Sequence, residues 1–289
     1  MPTANPNDLG NGRPDSWLGK LQALSRRVEE YVDGYSRLIA TYFPAVGRVS
    51  IVATFLEDAF RIAFQWTDQI WYLERYRKFP GILPQVFLIA NIAIMFGAST
   101  LIVVKRYTEP AVMSLVGVIL LQAFGYGLFF DLNFLTRNLS LVGGLLMLLP
   151  DAMVARERLF PGLHVLNETV RRRYFLLTSR VLIIALFLGF VIQGEWTTVR
   201  IGVSVLGIVF CILVVVGFTP RVSSTLLVLL LSAYNVWAHG WWALDAGHPA
   251  RDFLKYDFFQ TLSIIGGLIM FVNFESTAPS TRQEELALG

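Results

Sequence analysis

DLNFLTRNLSLVGGLLMLLP, residues Asp131 to Pro150, is written almost twice in this chain. Near the end it returns as YDFFQTLSIIGGLIMFVNF, Tyr256 to Phe274. Between Asn138–Met147 and Thr261–Met270 there are 6 identities in 10, and three of the changes exchange Leu, Ile and Val. Each copy opens on polar residues, carries a Gly-Gly pair in its middle and is otherwise apolar. A second pair, RVSIVATFL at Arg48–Leu56 and RVLIIALFL at Arg180–Leu188, shares 6 residues in 9. The two pairs keep the same order and are offset by 123 and 132 residues (138 to 261 and 48 to 180). That spacing predicts a two-fold repeat of a unit of about four spans.

The composition places those units in a membrane. Of 289 residues, 55% are hydrophobic and 16% charged, far from the balance of a water-soluble domain. Eight apolar stretches have the roughly 20 residues that a bilayer helix needs: 47–66, 82–104, 111–130, 132–149, 175–193, 199–218, 222–240 and 256–274. Runs such as ILVVVGF do not alternate, which excludes a β-barrel. The expected fold is therefore all-α: a polytopic membrane protein of about eight transmembrane helices in two parallel four-helix repeats. The first repeat is placed at 44–149 and the second at 175–274, joined by a cytosolic loop at 150–174. Residues 1–16, rich in Asn, Gly, Pro and Asp, read as a disordered tail, not a signal peptide. Residues 17–43 read as an amphipathic helix against the bundle or the anionic leaflet, and 275–289 as a second tail.

Charge sets the expected orientation. With the N-terminus in the cytosol, fifteen Lys/Arg residues fall on that side, counting Arg48 at the mouth of the first span, against six on the other. The positive-inside rule then puts both termini in the cytosol. A net charge of +3, with its Arg residues beside membrane spans, suits lipid headgroups and gives no case for nucleic acid. Cys211 is the single cysteine, so the chain has no internal disulfide.

Polar residues inside the spans mark the candidate sites. Glu57, Asp58 and Arg61 lie near the middle of the first span, where an unpaired charge is costly. Spacings of three and four let Arg61 reach either acid, so these residues read as an intramembrane ion cluster. Below them stand Gln65 and Trp66. Asp131, Arg137 and Asn138 enter the fourth span from the non-cytosolic side, as Asp257 and Gln260 enter the eighth. Trp237 and Trp241 add aromatic surface at the same level. Together these predict a ligand-binding cavity open to the non-cytosolic side, lined by Gln65, Trp66, Asp131, Arg137, Asn138, Trp237, Trp241, Asp257 and Gln260. Gly143, Gly144, Gly266 and Gly267 read as close-packing positions between helices. No HExxH, GxSxG, CxxC or phosphate-cradling loop accompanies them, so neither an enzyme, a metal site nor a cofactor is expected. His239 and His248 have no carboxylate or cysteine at ligand spacing.

Three stretches carry a family resemblance. ATFLEDAFRIAFQW at Ala53–Trp66, DLNFLTRNLSLVGGLLMLL at Asp131–Leu149 and DFLKYDFFQTLSIIGGL at Asp252–Leu268 resemble the surfeit locus protein 4 family, which includes yeast Erv-type receptors. The four-span unit is similar to the DoxX-type membrane fold. The resemblance implies a receptor of the endoplasmic reticulum membrane, cycling through the intermediate compartment and Golgi. It would bind short segments of soluble secretory cargo in the lumen and engage COPII coat components from the cytosol. Family signature positions fall on Glu57, Asp58, Arg61, Gln65, Trp66, Asp131, Arg137, Asn138, Lys255, Tyr256, Asp257 and Gln260. One departure stands out: members commonly end in a dilysine-type signal, and Thr281–Gly289 (TRQEELALG) has no lysine.

The competing expectation is a small-molecule or lipid transporter, since pseudo-symmetric bundles with intramembrane charges are a usual carrier architecture. A carrier needs a cavity that opens to both sides in turn, whereas a receptor needs one opening. The orientation is testable at once. Cysteines placed after Gly10 and after Thr281 should label from the cytosol, and the sequon at Asn167 should stay bare; glycosylation there reverses the topology.

Overall fold

The computed structural model describes residues 42–149, 197–216, 220–245, 247–248 and 250–277, together with Val181, Ile184, Phe187, Leu188, Phe190 and Val191. The expected tail at 1–16, the amphipathic helix at 17–43 up to Thr41, the loop at 150–174 and the tail beyond Thr277 lie outside the described residues. All regular structure among the described residues is helical. The chain is a polytopic all-α membrane protein.

The first helix, α1 (Phe43–Phe64), begins with Pro44 in its first turn. There the missing amide costs nothing and the fixed φ favours a helical start. Pro44 thus opens the first span. At Gln65 (φ −99°, ψ 32°) the backbone leaves helical geometry, and a short amphipathic helix, α2 (Trp66–Arg75), follows. The aromatic run from Trp66 to Tyr72 is thus part of a helix of its own. Then come α3 (Leu83–Val103), α4 (Thr108–Tyr126) and α5 (Leu132–Leu146). After the central gap follow α6 (Thr198–Val216), α7 (Pro220–Ala238), a 3-10 turn (Trp241–Ala243) and α8 (Ala250–Thr277). Within the expected fifth span, the described residues Val181, Ile184, Phe187, Leu188, Phe190 and Val191 are helical.

Among the described residues, four segments are long and apolar enough to cross a bilayer: α3, α4, α6 and the stretch Val222–Ala243 that includes most of α7. α1 and α8 reach that length but carry charges, and α5 has 15 residues. Their positions follow from this difference. The oily helices keep exposed apolar faces such as Ile89, Met113, Val205 and Leu229, as lipid contact requires. The charged α1 and α8 form the centre. From Gln260 to Phe271, α8 is buried at every position except Leu262. It packs most extensively on α1, then on α7 and α5; α3 and α4 follow α1 on one side, and α6 follows α7 on the other.

Backbone meets backbone where α1 and α8 cross. A Cβ on Gly266 would stand 2.7 Å from the Gly47 carbonyl oxygen and 2.8 Å from the Ile51 nitrogen. Small residues let helices approach this closely in a membrane, where packing replaces the hydrophobic drive. Side-chain hydrogen bonds hold the crossing: Ser263 Oγ donates to the Ile51 carbonyl (3.1 Å) and Thr54 Oγ1 to that of Phe259 (2.7 Å). On the other flank Asn235 Nδ2 donates to the Phe258 carbonyl at 3.1 Å, and His239 Nδ1 lies 2.8 Å from Asn235 Oδ1. Gly143, Gly144 and Gly267 are buried in α5 and α8.

Arginines close helix ends whose carbonyls have no partner within the helix. Arg77 donates from Nε to the Gly125 carbonyl (2.9 Å) and from its terminal nitrogen to that of Phe124 (3.1 Å). Its guanidinium lies over Gly127, whose φ of 73° and crowding leave no room for a side chain. Buried Arg200 likewise donates to the Phe190 carbonyl at 2.6 Å.

The crossing yields a prediction. Gly266→Ala forces its methyl against backbone atoms and should lower stability by about 2 kcal/mol. Gly202→Ala, with open space around its position, should leave the melting temperature in detergent unchanged or slightly raised.

Candidate functional site: a charged cavity at one end of the bundle

Five elements converge at one end: the last turns of α1, all of α2, the end of α4, and the first turns of α5 and α8. Between them lies a cavity of ≈ 920 Å³. Its chemistry is layered. Asp68 on α2, Asp131 before α5 and Asp252 on α8 are exposed and form the rim. One to two turns down lie Asp58, Arg61, Gln122, Tyr126, Arg137, Asn138 and Tyr256. Thr54, Phe55, Ile119 and Leu141 form the floor. One turn deeper on the same three helices, Ile51, Leu115 and Leu145 have no solvent exposure. Four carboxylates and two guanidinium groups line the cavity, a formal balance of −2.

Every charge at depth has a partner, as the cost of a bare ion in an apolar medium demands. Asp58 pairs with Arg61 one turn on and accepts from Gln122 Nε2 of α4 at 2.7 Å. Arg137 of α5 reaches Asp257 of α8 at 3.4 Å, with its guanidinium 5.2 Å from the centre of the Tyr256 ring. Beneath it, Gln260 Nε2 donates to the Arg137 carbonyl at 3.3 Å. At the rim Gln65 Nε2 donates to Asp252 (3.2 Å), and Tyr126 Oη donates to Gln69 Oε1 (2.8 Å). Asp131 accepts from the Phe134 amide at 3.1 Å, an N-cap that starts α5 directly after the tight turn.

Glu57 lies outside the cavity. It points into the α1–α8 interface, 3% exposed, and meets Lys255 Nζ at 3.5 Å. The sequence reading, in which Arg61 alone serves both acids, is corrected here. Arg61 pairs with Asp58, and Glu57 has its own cation on α8. Spacing along one helix cannot reveal a partner almost two hundred residues away.

Of the residues expected to line a cargo cavity, Gln65, Asp131, Arg137 and Asn138 do so. The others stand elsewhere. Trp66, at the start of α2, packs half-buried on the core. Trp237 faces outward, 67% exposed, because the polar face of α7 at Asn235 is turned to α8. Trp241 sits under the side chains of Arg251 and Lys255. Asp257 and the buried Gln260 hold Arg137 from behind and do not line the cavity. The expected symmetric pocket between the fourth and eighth spans is replaced by a one-sided cavity enclosed by α1, α2, α4, α5 and α8. Gln69, Trp71, Tyr72, Asp252 and Phe253 were not read as lining; recognising α2 as an amphipathic helix would have exposed the first three. No group of three or more potential metal ligands occurs among the described residues.

Fold and site together define a class: a polytopic helical membrane protein with a polar, charged cavity entered from one end of its bundle. The comparisons with known proteins specify the family. The model of the SURF4 family matches residues 22–283. A surfeit locus protein 4 homolog of Schizosaccharomyces pombe is 40% identical over 260 residues, 87% of this chain and 85% of the relative. The ER-derived vesicles protein ERV29 of Saccharomyces cerevisiae is 35% identical over 274 residues, 93% of this chain and 86% of the relative. A surfeit locus protein 4 homolog of Drosophila melanogaster is 34% identical over 230 residues, 80% and 85%. The chain belongs to the SURF4 family. No solved structure gives a significant match.

Lys255→Ala should strand the Glu57 carboxylate in the interface and destabilise the protein by about 2 kcal/mol, less than a fully buried pair because Lys255 is 31% exposed. Replacing both partners, Glu57→Gln with Lys255→Met, should recover most of the lost melting temperature in detergent.

Proposed function

We propose that this protein is a cargo receptor of the endoplasmic reticulum membrane. It binds short segments of soluble secretory proteins in its cavity and delivers them to COPII-dependent transport toward the Golgi, cycling through the intermediate compartment. The observation that carries this reading is the placement of the cavity's polar groups at one end of the described bundle. Charged and aromatic groups stand at one end, and Ile51, Leu115 and Leu145 fill the bundle beneath the floor. A carrier opens its cavity to both faces in turn, and these fully buried side chains close the opposite side in this conformation, which favours the receptor. The name of the yeast relative, ER-derived vesicles protein, supports the compartment. Both termini then face the cytosol, where the coat assembles, and the rim faces the lumen.

The layering suggests how a segment docks. An apolar tip reaches Phe55, Ile119 and Leu141, peptide carbonyls meet Arg61, Arg137 and Gln122, and a cationic group rests among the rim aspartates. Large aromatic surfaces and directional guanidinium pairing give specificity to such a contact. The pairs already formed within the cavity keep its charges satisfied while it is empty.

The test is a titration of the purified receptor with a synthetic peptide from the mature amino terminus of a co-expressed secretory protein. Arg137→Gln and Asp252→Asn should each weaken binding about tenfold, the effect of losing one charge-assisted hydrogen bond. Melting curves of the same variants separate binding from folding. Unchanged affinity in both variants, with lowered melting, assigns these residues to the fold and refutes the cavity as the cargo site.

A further inference from the structure

Beside the cavity, on the α7–α8 side, lies a cluster that the receptor reading does not use. Arg251 and Lys255 stand one turn apart on α8, and both cover the indole of Trp241, at 5.5 and 5.9 Å from the ring centre. Two cations over one ring is an unusual concentration of positive charge at a membrane helix. Lys255 is partly neutralised by Glu57. Arg251 has no carboxylate within ion-pair distance among the described residues. Two shielded donors in this cluster, Trp241 Nε1 and Arg251 Nε, have no hydrogen-bond partner among the described residues. Donors shielded from water need an acceptor, and an orphaned pair beside an unpaired cation calls for an anionic one.

We propose that Arg251, Trp241 and Lys255 form a binding site for the phosphate of an anionic membrane phospholipid. The location selects the source. Trp241 lies in the final residues of the membrane-spanning stretch Val222–Ala243, at the level where the aqueous interface begins. Trp237 and Trp242 flank it with side chains 67% and 52% exposed, a surface that suits acyl chains and glycerol backbone and not water. A phosphate oxygen accepts from the indole N–H and from Arg251 Nε, and the Lys255 ammonium adds charge from below. Because Lys255 also holds Glu57, the lipid and α1 share one cation.

The experiment uses the full-length protein, delipidated in an uncharged detergent, with binding read by native mass spectrometry and stability by melting. Phosphatidylglycerol should bind the wild type and raise its melting temperature, whereas phosphatidylcholine should do so at least tenfold less effectively. Arg251→Gln should weaken phosphatidylglycerol about tenfold, and Trp241→Phe, which keeps an aromatic ring but loses the N–H, by severalfold. Equal binding of the two lipids to the wild type overturns the proposal. So does a melting shift from inorganic phosphate that matches phosphatidylglycerol, which would make the site one for a soluble anion. Should Arg251→Gln fold poorly without lipid, Trp241→Phe decides: unchanged phosphatidylglycerol affinity in that variant overturns the site.

Discussion

Among the described residues, two ion pairs reach from α8 to the rest of the bundle, Lys255 to Glu57 on α1 and Asp257 to Arg137 on α5. In hydrocarbon a lone charge is expensive, so each pair constrains the relative rotation and depth of two helices more tightly than apolar contact can. With the glycine crossing at Gly47 and Gly266 they hold α8 at the centre, and the outer helices pack around that arrangement. The apolar faces of α3, α4, α6 and α7 supply lipid contact and bulk. Position comes from the polar residues.

Those polar residues also separate two environments within a few turns of helix. Asp58 and Glu57 are neighbours in sequence, yet one faces a solvent-sized cavity and the other a sealed interface. The helical rotation of about 100° per residue accomplishes this. Mutating either acid therefore probes a different property, ligand access in one case and helix assembly in the other. The same division recurs on α8, where Tyr256 faces the cavity and Asp257 supports it from outside.

Much of this was legible in the sequence. The length of the apolar runs gave helices at seven of the eight expected spans, and the Gly-Gly repeat pointed to a close-packed α8. Polar residues at membrane depth pointed to the end of the bundle where the cavity lies. What could not be read was which residues meet across the fold. Lys255 looks like an interfacial lysine until α8 is placed against α1, and Trp237 looks like cavity wall until Asn235 fixes the rotation of α7. Repeat symmetry misled as well. It implied that the fourth and eighth spans would contribute alike, but α2, which interrupts the chain after Gln65, encloses the cavity on one side. The amphipathic pattern of α2 marks a polar face, but not which helices that face meets.

The contact between Gly47 and Gly266 has a mechanical consequence. Glycine backbones in contact, with Ser50 and Met270 packed beside them, leave little room to absorb a shift, so small changes of tilt at this point are magnified toward the rim. From Gly266 to Asp252 is about 21 Å of helix at 1.5 Å per residue. A rotation of about 5° at the crossing carries the rim carboxylate by about 2 Å, the width of a hydrogen-bond gap, while the far side of the bundle hardly moves. A tilt of that size would pull on the Lys255–Glu57 and Asp257–Arg137 pairs, so the glycine contact and the two pairs together set where the rim stands.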